Sequence, residues 1–106
     1  MSSIQNTYLY SKSIKVEEST IEDIINEHQL NRVYKSKTFE LYSLKNNYNP
    51  TANVFFYVKG SKKAKIMLEY NLLERKAEVL YQYGTKFITK EYYTKNGKYY
   101  FLLKEL

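Results

Sequence analysis

The chain has 106 residues, a formal net charge of +6 and no cysteine, with 43% hydrophobic and 26% charged side chains. These values describe a folded chain with one modest core and predict a single domain over residues 1–106. Without cysteine, disulfides, thiol catalysis and thiolate metal sites are excluded.

Thirteen Tyr and five Phe stand beside no Trp, so Tyr does much of the packing that Leu and Val do elsewhere. The bias towards Lys, Asn, Ile, Tyr and Phe matches AT-rich codons and points to a low-GC genome, a virus or a mobile element. "MSSIQNTYLYSKS" has no long apolar run, so the expectation is an intracellular, cytoplasmic protein without membrane association. The charge is uneven. Residues 1–50 hold six basic and six acidic side chains, whereas residues 51–106 hold eleven basic against five acidic. Such asymmetry points to an anionic partner for the second half.

"NTYLYSKSIKV" (6–16) is rich in β-formers and predicts a first strand. "STIEDIINEHQL" (19–30) is the clearest helix: Ser19 and Glu22 have capping-box spacing, and Ile21, Ile24, Ile25 and His28 share one face. "RVYKSK" suggests a short strand, "TFELYSL" (38–44) another, and "KNNYNPTAN" (45–53) a long loop. "NVFFYV" (53–58) is a strand, followed by a "KGSK" turn.

"KKAKIMLEYNLLERKAEVLYQYG" reads two ways. As strands it alternates: Ile66, Leu68, Tyr70 and Leu72, then Ala77, Val79, Tyr81 and Tyr83. As a helix over 62–83 it would start on three lysines, the wrong sign for the macrodipole, and carry apolar stripes on both sides. The strand reading is adopted. The alternative would give a ferredoxin-like order, with Tyr8, Tyr10, Phe55 and Tyr57 as candidate stacking rings.

"KFITKEYY" and "KYYFLLK" flank "TKNGK", and Asn-Gly between β-formers is a strong hairpin signal. The predicted architecture is α+β: an antiparallel meander with one N-terminal helix on one face. A two-residue turn at Asn96 and Gly97 pairs Lys95 with Lys98, Tyr93 with Tyr100 and Tyr92 with Phe101. Ile88, Tyr92, Tyr99, Phe101 and Leu103 then form a core face. Thr89, Glu91, Tyr93, Lys95, Lys98, Tyr100, Leu102 and Lys104 form a wet one.

Outward Tyr interleaved with Lys is the composition that binds single-stranded nucleic acid, rings stacking on bases and ammonium groups following phosphates. The candidate interface is Lys59, Lys62, Lys63, Lys65, Tyr93, Lys95, Lys98, Tyr100 and Lys104. The competing reading is that cross-strand Tyr pairs simply stabilise the sheet and that Lys guards its edges.

One His, no Cys and one Asp build neither a zinc site nor a Ser-His-Asp triad, and Gly60, Gly84 and Gly97 form no phosphate loop. No metal or cofactor is expected. Paired carboxylates stay open, since Glu69, Glu78 and Glu91 fall on strands that can neighbour one another. The expectation is a small basic, non-enzymatic binding protein that meets nucleic acid or a nucleoprotein. The second reading is a protein–protein module, an inhibitor of a host protein or a homodimer joined through a sheet edge.

Overall fold

The β-rich segments of the sequence become strands in the computed structural model, which describes residues 10–38, 40–43, 50–59, 65–66 and 78–106. They are β1 (Tyr10–Ile14), β2 (Val33–Lys35), β3 (Glu40–Ser43), β4 (Val54–Lys59), β5 (Lys65–Ile66), β6 (Glu78–Tyr81), β7 (Lys86–Lys95) and β8 (Lys98–Glu105). One helix, α1 (Glu18–Glu27), stands among the described residues. The class is α+β, as expected. Within the ambiguous stretch, β5 and β6 pair antiparallel through Lys65–Leu80 and Ile66–Val79, which rules out a continuous helix over 62–83 and with it the ferredoxin-like order.

The simple antiparallel meander is corrected. The eight strands lie in the order β2-β7-β8-β4-β1-β3-β6-β5, and β8 runs parallel to β4. Alternation assigns strands and faces but carries no information on which strand lies beside which. One local signal did exist: "VFFYV" (54–58) has no charged or amide residue, the pattern of a strand buried on both faces. Val54, Phe55, Phe56 and Val58 are indeed all buried, in the middle of the sheet.

The sheet must also curl. Between β7 and β6 stand four strands, so a flat sheet would set them about 24 Å apart. The link from Tyr81 to Lys86 spans at most about 18 Å. The sheet therefore wraps round, and the Tyr81 and Phe87 rings meet edge to face at 5.0 Å. Inside lie Tyr10, Tyr42, Val54, Phe56, Val58, Phe101 and Leu103, with Ile21, Ile24 and Ile25 of α1 packed on them. This is the helix face of the sheet, and the opposite one is its far face.

Two local expectations also shift. The helix begins at Glu18, with Glu17 as a backbone N-cap and no side-chain cap bond, so the Ser19–Glu22 box is not formed. Ser19 falls inside the first turn because the Ile21 N–H already bonds Glu17 O at 3.0 Å. In the last hairpin the pairs Lys95–Lys98, Tyr93–Tyr100 and Tyr92–Phe101 form as predicted, around Gly97 at φ 74°. A bulge between Thr89 and Glu91 then exchanges the faces upstream. Thr89 is fully buried and sits opposite Leu103, while Ile88 sits opposite Lys104.

Asn53 ties these parts together and was not foreseen. Its amide accepts from Val16 N at 2.9 Å and donates to Val16 O at 2.8 Å. Its backbone bonds Ile14 O and receives Tyr99 N, joining β1, β4 and β8 at one end.

Candidate functional site

The middle of the far face is assembled by register. Tyr57 of β4 sits opposite Ser11 of β1, Ser11 opposite Ser43 of β3, and Ser43 opposite Glu78 of β6. On the other side Tyr57 is level with Leu102, and Leu102 with Glu91. One row thus runs Glu91, Leu102, Tyr57, Ser11, Ser43, Glu78, with two hydroxyl positions between a phenol and a carboxylate position. The two acidic residues of this row, Glu78 and Glu91, close its opposite ends rather than forming an adjacent pair.

The next row towards the hairpin is aromatic. Tyr93 stacks on Tyr100 with centroids 4.8 Å apart and planes 7° from parallel, and Tyr100 stacks on Phe55 at 4.9 Å and 10°. The Lys98 ammonium lies 5.6 Å from the Phe55 centroid. The ladder descends from exposed Tyr93 through half-buried Tyr100 to buried Phe55. Burial, then the nearby phenols of Tyr93 and Tyr100, push the Tyr57 hydroxyl above its ordinary value.

The candidate residues singled out from sequence are therefore divided. Tyr93, Lys95, Lys98 and Tyr100 cluster on the hairpin, and exposed Lys59 and Lys104 are paired across β4 and β8 beyond the Tyr57 row. Lys65 lies in edge strand β5, with four strands between it and β8, because the hairpin holding it pairs on the far side of β3. Lys62 and Lys63 lie outside the described residues. Of the candidate stacking rings near the N-terminus, Tyr10 is buried in the core and Tyr8 lies outside the described residues.

A second arrangement lies on the helix face, where β1 and β3 splay. Among the described residues these two strands are paired only at Ser11–Ser43, whereas β1 follows β4 over its full length. The opening is a cleft of about 510 Å³ lined by Lys12, Ile14, Ile24, Glu27, His28, Tyr34, Thr38, Glu40 and Phe56. Glu40 is its polar centre. It takes the Lys12 ammonium at 2.8 Å, the Ser36 hydroxyl at 2.7 Å and the Tyr34 hydroxyl at 3.4 Å. Burial alone would raise its carboxyl, but Lys12 and Ser36 together hold it below the ordinary carboxylate value. Burial, followed by the charge of Glu40, pushes Tyr34 up to about 12.

His28 caps the C-terminus of α1 and is 6% exposed, in keeping with its expected place among the isoleucines. Its ring packs against Tyr34, Phe56 and Phe101 at 4.2, 5.2 and 5.5 Å, and burial lowers its basicity. Nδ1 bonds Ile24 O at 3.0 Å, which places the proton on Nδ1. Sequence reasoning passed over this cleft because its polar groups come from β1, the α1 C-cap, β2, the following turn and β3. Among the described residues no cluster of three metal-ligating side chains occurs, and no helix is long and apolar enough to cross a membrane.

No protein-family model matches the chain, and no curated protein is similar to it in sequence. Solved structures do share its fold. The ADP-ribosyltransferase HopU1 of Pseudomonas syringae pv. Tomato DC3000 superposes with a TM-score of 0.76 at 14% identity, over 92% of this chain and 44% of that one. The catalytic domain of VahC from Aeromonas hydrophila gives 0.74 at 9% identity, over 100% and 63%. C3larvin toxin, an ADP-ribosyltransferase from Paenibacillus larvae, gives 0.58 at 16% identity, over 96% and 53%. The chain thus spans about half the length of the proteins it resembles.

This likeness corrects the expectation drawn from charge and tyrosines. The fold is that of bacterial effector and toxin catalytic domains, not of a non-enzymatic nucleic-acid binder. Composition misled for a physical reason: stacked Tyr pairs and flanking Lys stabilise and solubilise a sheet whatever it binds.

Proposed function

We propose that this chain is the sheet-forming part of an ADP-ribosyl-transferring enzyme. The observation that carries the reading is the shared fold, superposed over nearly the whole chain on HopU1 and VahC. The reaction breaks the bond between ribose C1′ of an ADP-ribose donor, a nicotinamide dinucleotide, and its leaving base. The bonding pair departs with the base. A nucleophile on the acceptor then bonds C1′ and gives up its proton.

Positive charge develops on the ribose ring in such a step, and a carboxylate beside it stabilises the oxocarbenium-like transition state. The register favours Glu78 for that role. It is level with Ser43 and Ser11 in the row that crosses the middle of the sheet. Glu40 is the poorer candidate, because Lys12, Ser36 and Tyr34 already occupy its oxygens. The exposed end of the aromatic ladder, Tyr93, offers a ring face on which a base stacks. Lys59 and Lys104 supply charge for a pyrophosphate.

The test uses the whole chain with nicotinamide adenine dinucleotide carrying a biotin label. Release of nicotinamide and transfer of label to a bacterial or host lysate are followed, with binding of the unlabelled dinucleotide measured by calorimetry. Glu78→Gln is expected to lower turnover by about 100-fold or more, the scale of one lost electrostatic contact in a transition state, with binding little changed. Absence of both binding and turnover at millimolar dinucleotide overturns the reading. Undiminished turnover in Glu78→Gln overturns the assignment of that residue.

A further inference from the structure

The outer edge of β7 is open at its hairpin end. β2 pairs only with Lys86–Ile88, and the chain before it reaches no further than Thr89, where Asn31 N bonds Thr89 O at 2.8 Å. Beyond that point none of the described residues pairs with the outer side of β7, and every residue from Lys90 to Gly97 is exposed. An open strand edge is a row of unpaired N–H and C=O groups, a template for another strand, and proteins ordinarily blunt it with lysines, prolines or bulges. Here a bulge lies between Thr89 and Glu91 and the flanking lysines are Lys90 and Lys95. Between those lysines stand Glu91, Tyr92, Tyr93 and Thr94, with no proline among them.

The turn decides which groups point outward. Asn96 and Gly97 both have positive φ, 53° and 74°, the two-residue turn whose closing pair, Lys95 and Lys98, exchanges hydrogen bonds. Bonded and non-bonded pairs alternate along an antiparallel ladder. Tyr93–Tyr100 is therefore bonded as well, and Tyr92 and Thr94 turn their N–H and C=O groups away from β8. Thr89, on the other side of the bulge, also faces outward and bonds Asn31 and Arg32, in agreement with that alternation. Glu91, Tyr93 and Lys95 share the far face, while Tyr92, whose ring lies 4.9 Å from that of Phe101, shares the helix face with Thr94.

A strand added here must bond through Tyr92 and Thr94. For the same strand of a second copy, antiparallel about a two-fold axis, the registers that keep those groups facing one another are centred on Tyr92, Tyr93 or Thr94. Centred on Tyr92, the pairing sets Lys95 against Thr89, whose edge Asn31 already occupies. Centred on Thr94, it sets Tyr93 against Lys95 and leaves Glu91 beside the turn. Centred on Tyr93, it sets Glu91 of each copy opposite Lys95 of the other, so every charge meets its opposite. We propose that β7 joins this chain to a second copy of itself, edge to edge and antiparallel, in the register centred on Tyr93. Tyr92 of each copy exchanges backbone bonds with Thr94 of the other. The Tyr93 rings meet in a non-bonded pair, the closer kind, and the stack of Phe55, Tyr100 and Tyr93 continues into its counterpart. Lys95 changes from a guard of the edge into half of a cross-strand ion pair. The pairing does not rest on the transfer reading. It covers the outer face of Tyr93, so a second copy and a stacked base exclude one another there.

Analytical ultracentrifugation of the whole chain, without dinucleotide, reads the association, with a Kd on the order of 100 μM expected for so short an edge. Glu91→Lys and Lys95→Glu each set like charges opposite one another and should weaken it at least about tenfold. The double variant, and a mixture of the two single variants, put opposite charges back in the same places and should recover it. Both side chains are exposed, so the fold tolerates the exchange. The chain has no cysteine, so Tyr93→Cys reads the register. On mild oxidation it should form a disulfide-linked dimer, whereas Tyr92→Cys, level with Thr94 of the second copy, should not. A chain that stays monomeric at about 1 mM leaves the edge to a strand of another protein and overturns the proposal. So do single charge variants that associate like the parent, a mixture no better than its components, or faster cross-linking through Tyr92→Cys than through Tyr93→Cys.

Discussion

Replacing Lys12 by Met removes one half of the cleft's ion pair and tests whether Glu40 depends on it. At 2.8 Å and an effective dielectric of about 20, the gross attraction is about 6 kcal/mol. Desolvation of both groups offsets most of this. What the variant exposes is different: a carboxylate whose side chain is 9% accessible, left with the Ser36 and Tyr34 hydroxyls as partners. Breaking a fully buried pair from one side costs about 3–5 kcal/mol. Lys12 is 24% accessible, so water reaches part of the site, and a loss of about 2–3 kcal/mol is expected. Lys12→Met with Glu40→Gln should recover most of that loss, because no unpaired charge remains. Urea denaturation of the three variants and the parent reads the cycle. The acid limb adds a check. Glu40 titrates below its ordinary value, so its contribution is complete above the unfolded carboxylate range and is lost as pH falls through the folded value. In Lys12→Met that acid-dependent loss should shrink. A single variant as stable as the parent, or a double variant no better than the single, would refute the argument.

The inward and outward tyrosines of the last hairpin should differ less than their alternation suggests. Tyr99→Ala should cost about 2–4 kcal/mol, since the ring packs on the core, and Tyr100→Ala about 1–2 kcal/mol, since it loses two stacked neighbours; urea melts decide, and an unchanged Tyr100→Ala would contradict the ladder. His28 should make stability fall with acid. Its folded value is depressed below 6.5, so the loss begins as pH drops below 6.5 and is complete below the folded value. His28→Phe should flatten that part of a Tm-against-pH profile, and an identical slope in both proteins would show that another group is responsible.

Local pattern in the chain was sufficient for much of this protein. Runs of β-formers marked β1, β3 and β4, and period-two alternation marked β6, β7 and β8. Asn96-Gly97 set the register of the last hairpin from the turn back to Glu91, because a two-residue turn leaves no freedom beside it. The isoleucine stripe located α1 and put His28 on its buried face. None of these signals ranks one strand against another. Strand order, the parallel β4–β8 pairing and the curl that brings Tyr81 onto Phe87 come from contacts between residues distant in sequence. Both candidate sites depend on that order. Ser11, Ser43 and Glu78 form a row only because β3 lies between β1 and β6, and Lys12 reaches Glu40 only because β3 lies beside β1. Even the bulge at Lys90, which buries Thr89 and turns Ile88 outward, leaves no mark in the alternation of "KFITKEYY". Residue chemistry and local periodicity belong to the chain itself, whereas the meeting of polar groups from separate strands is decided by packing of the whole sheet around its core.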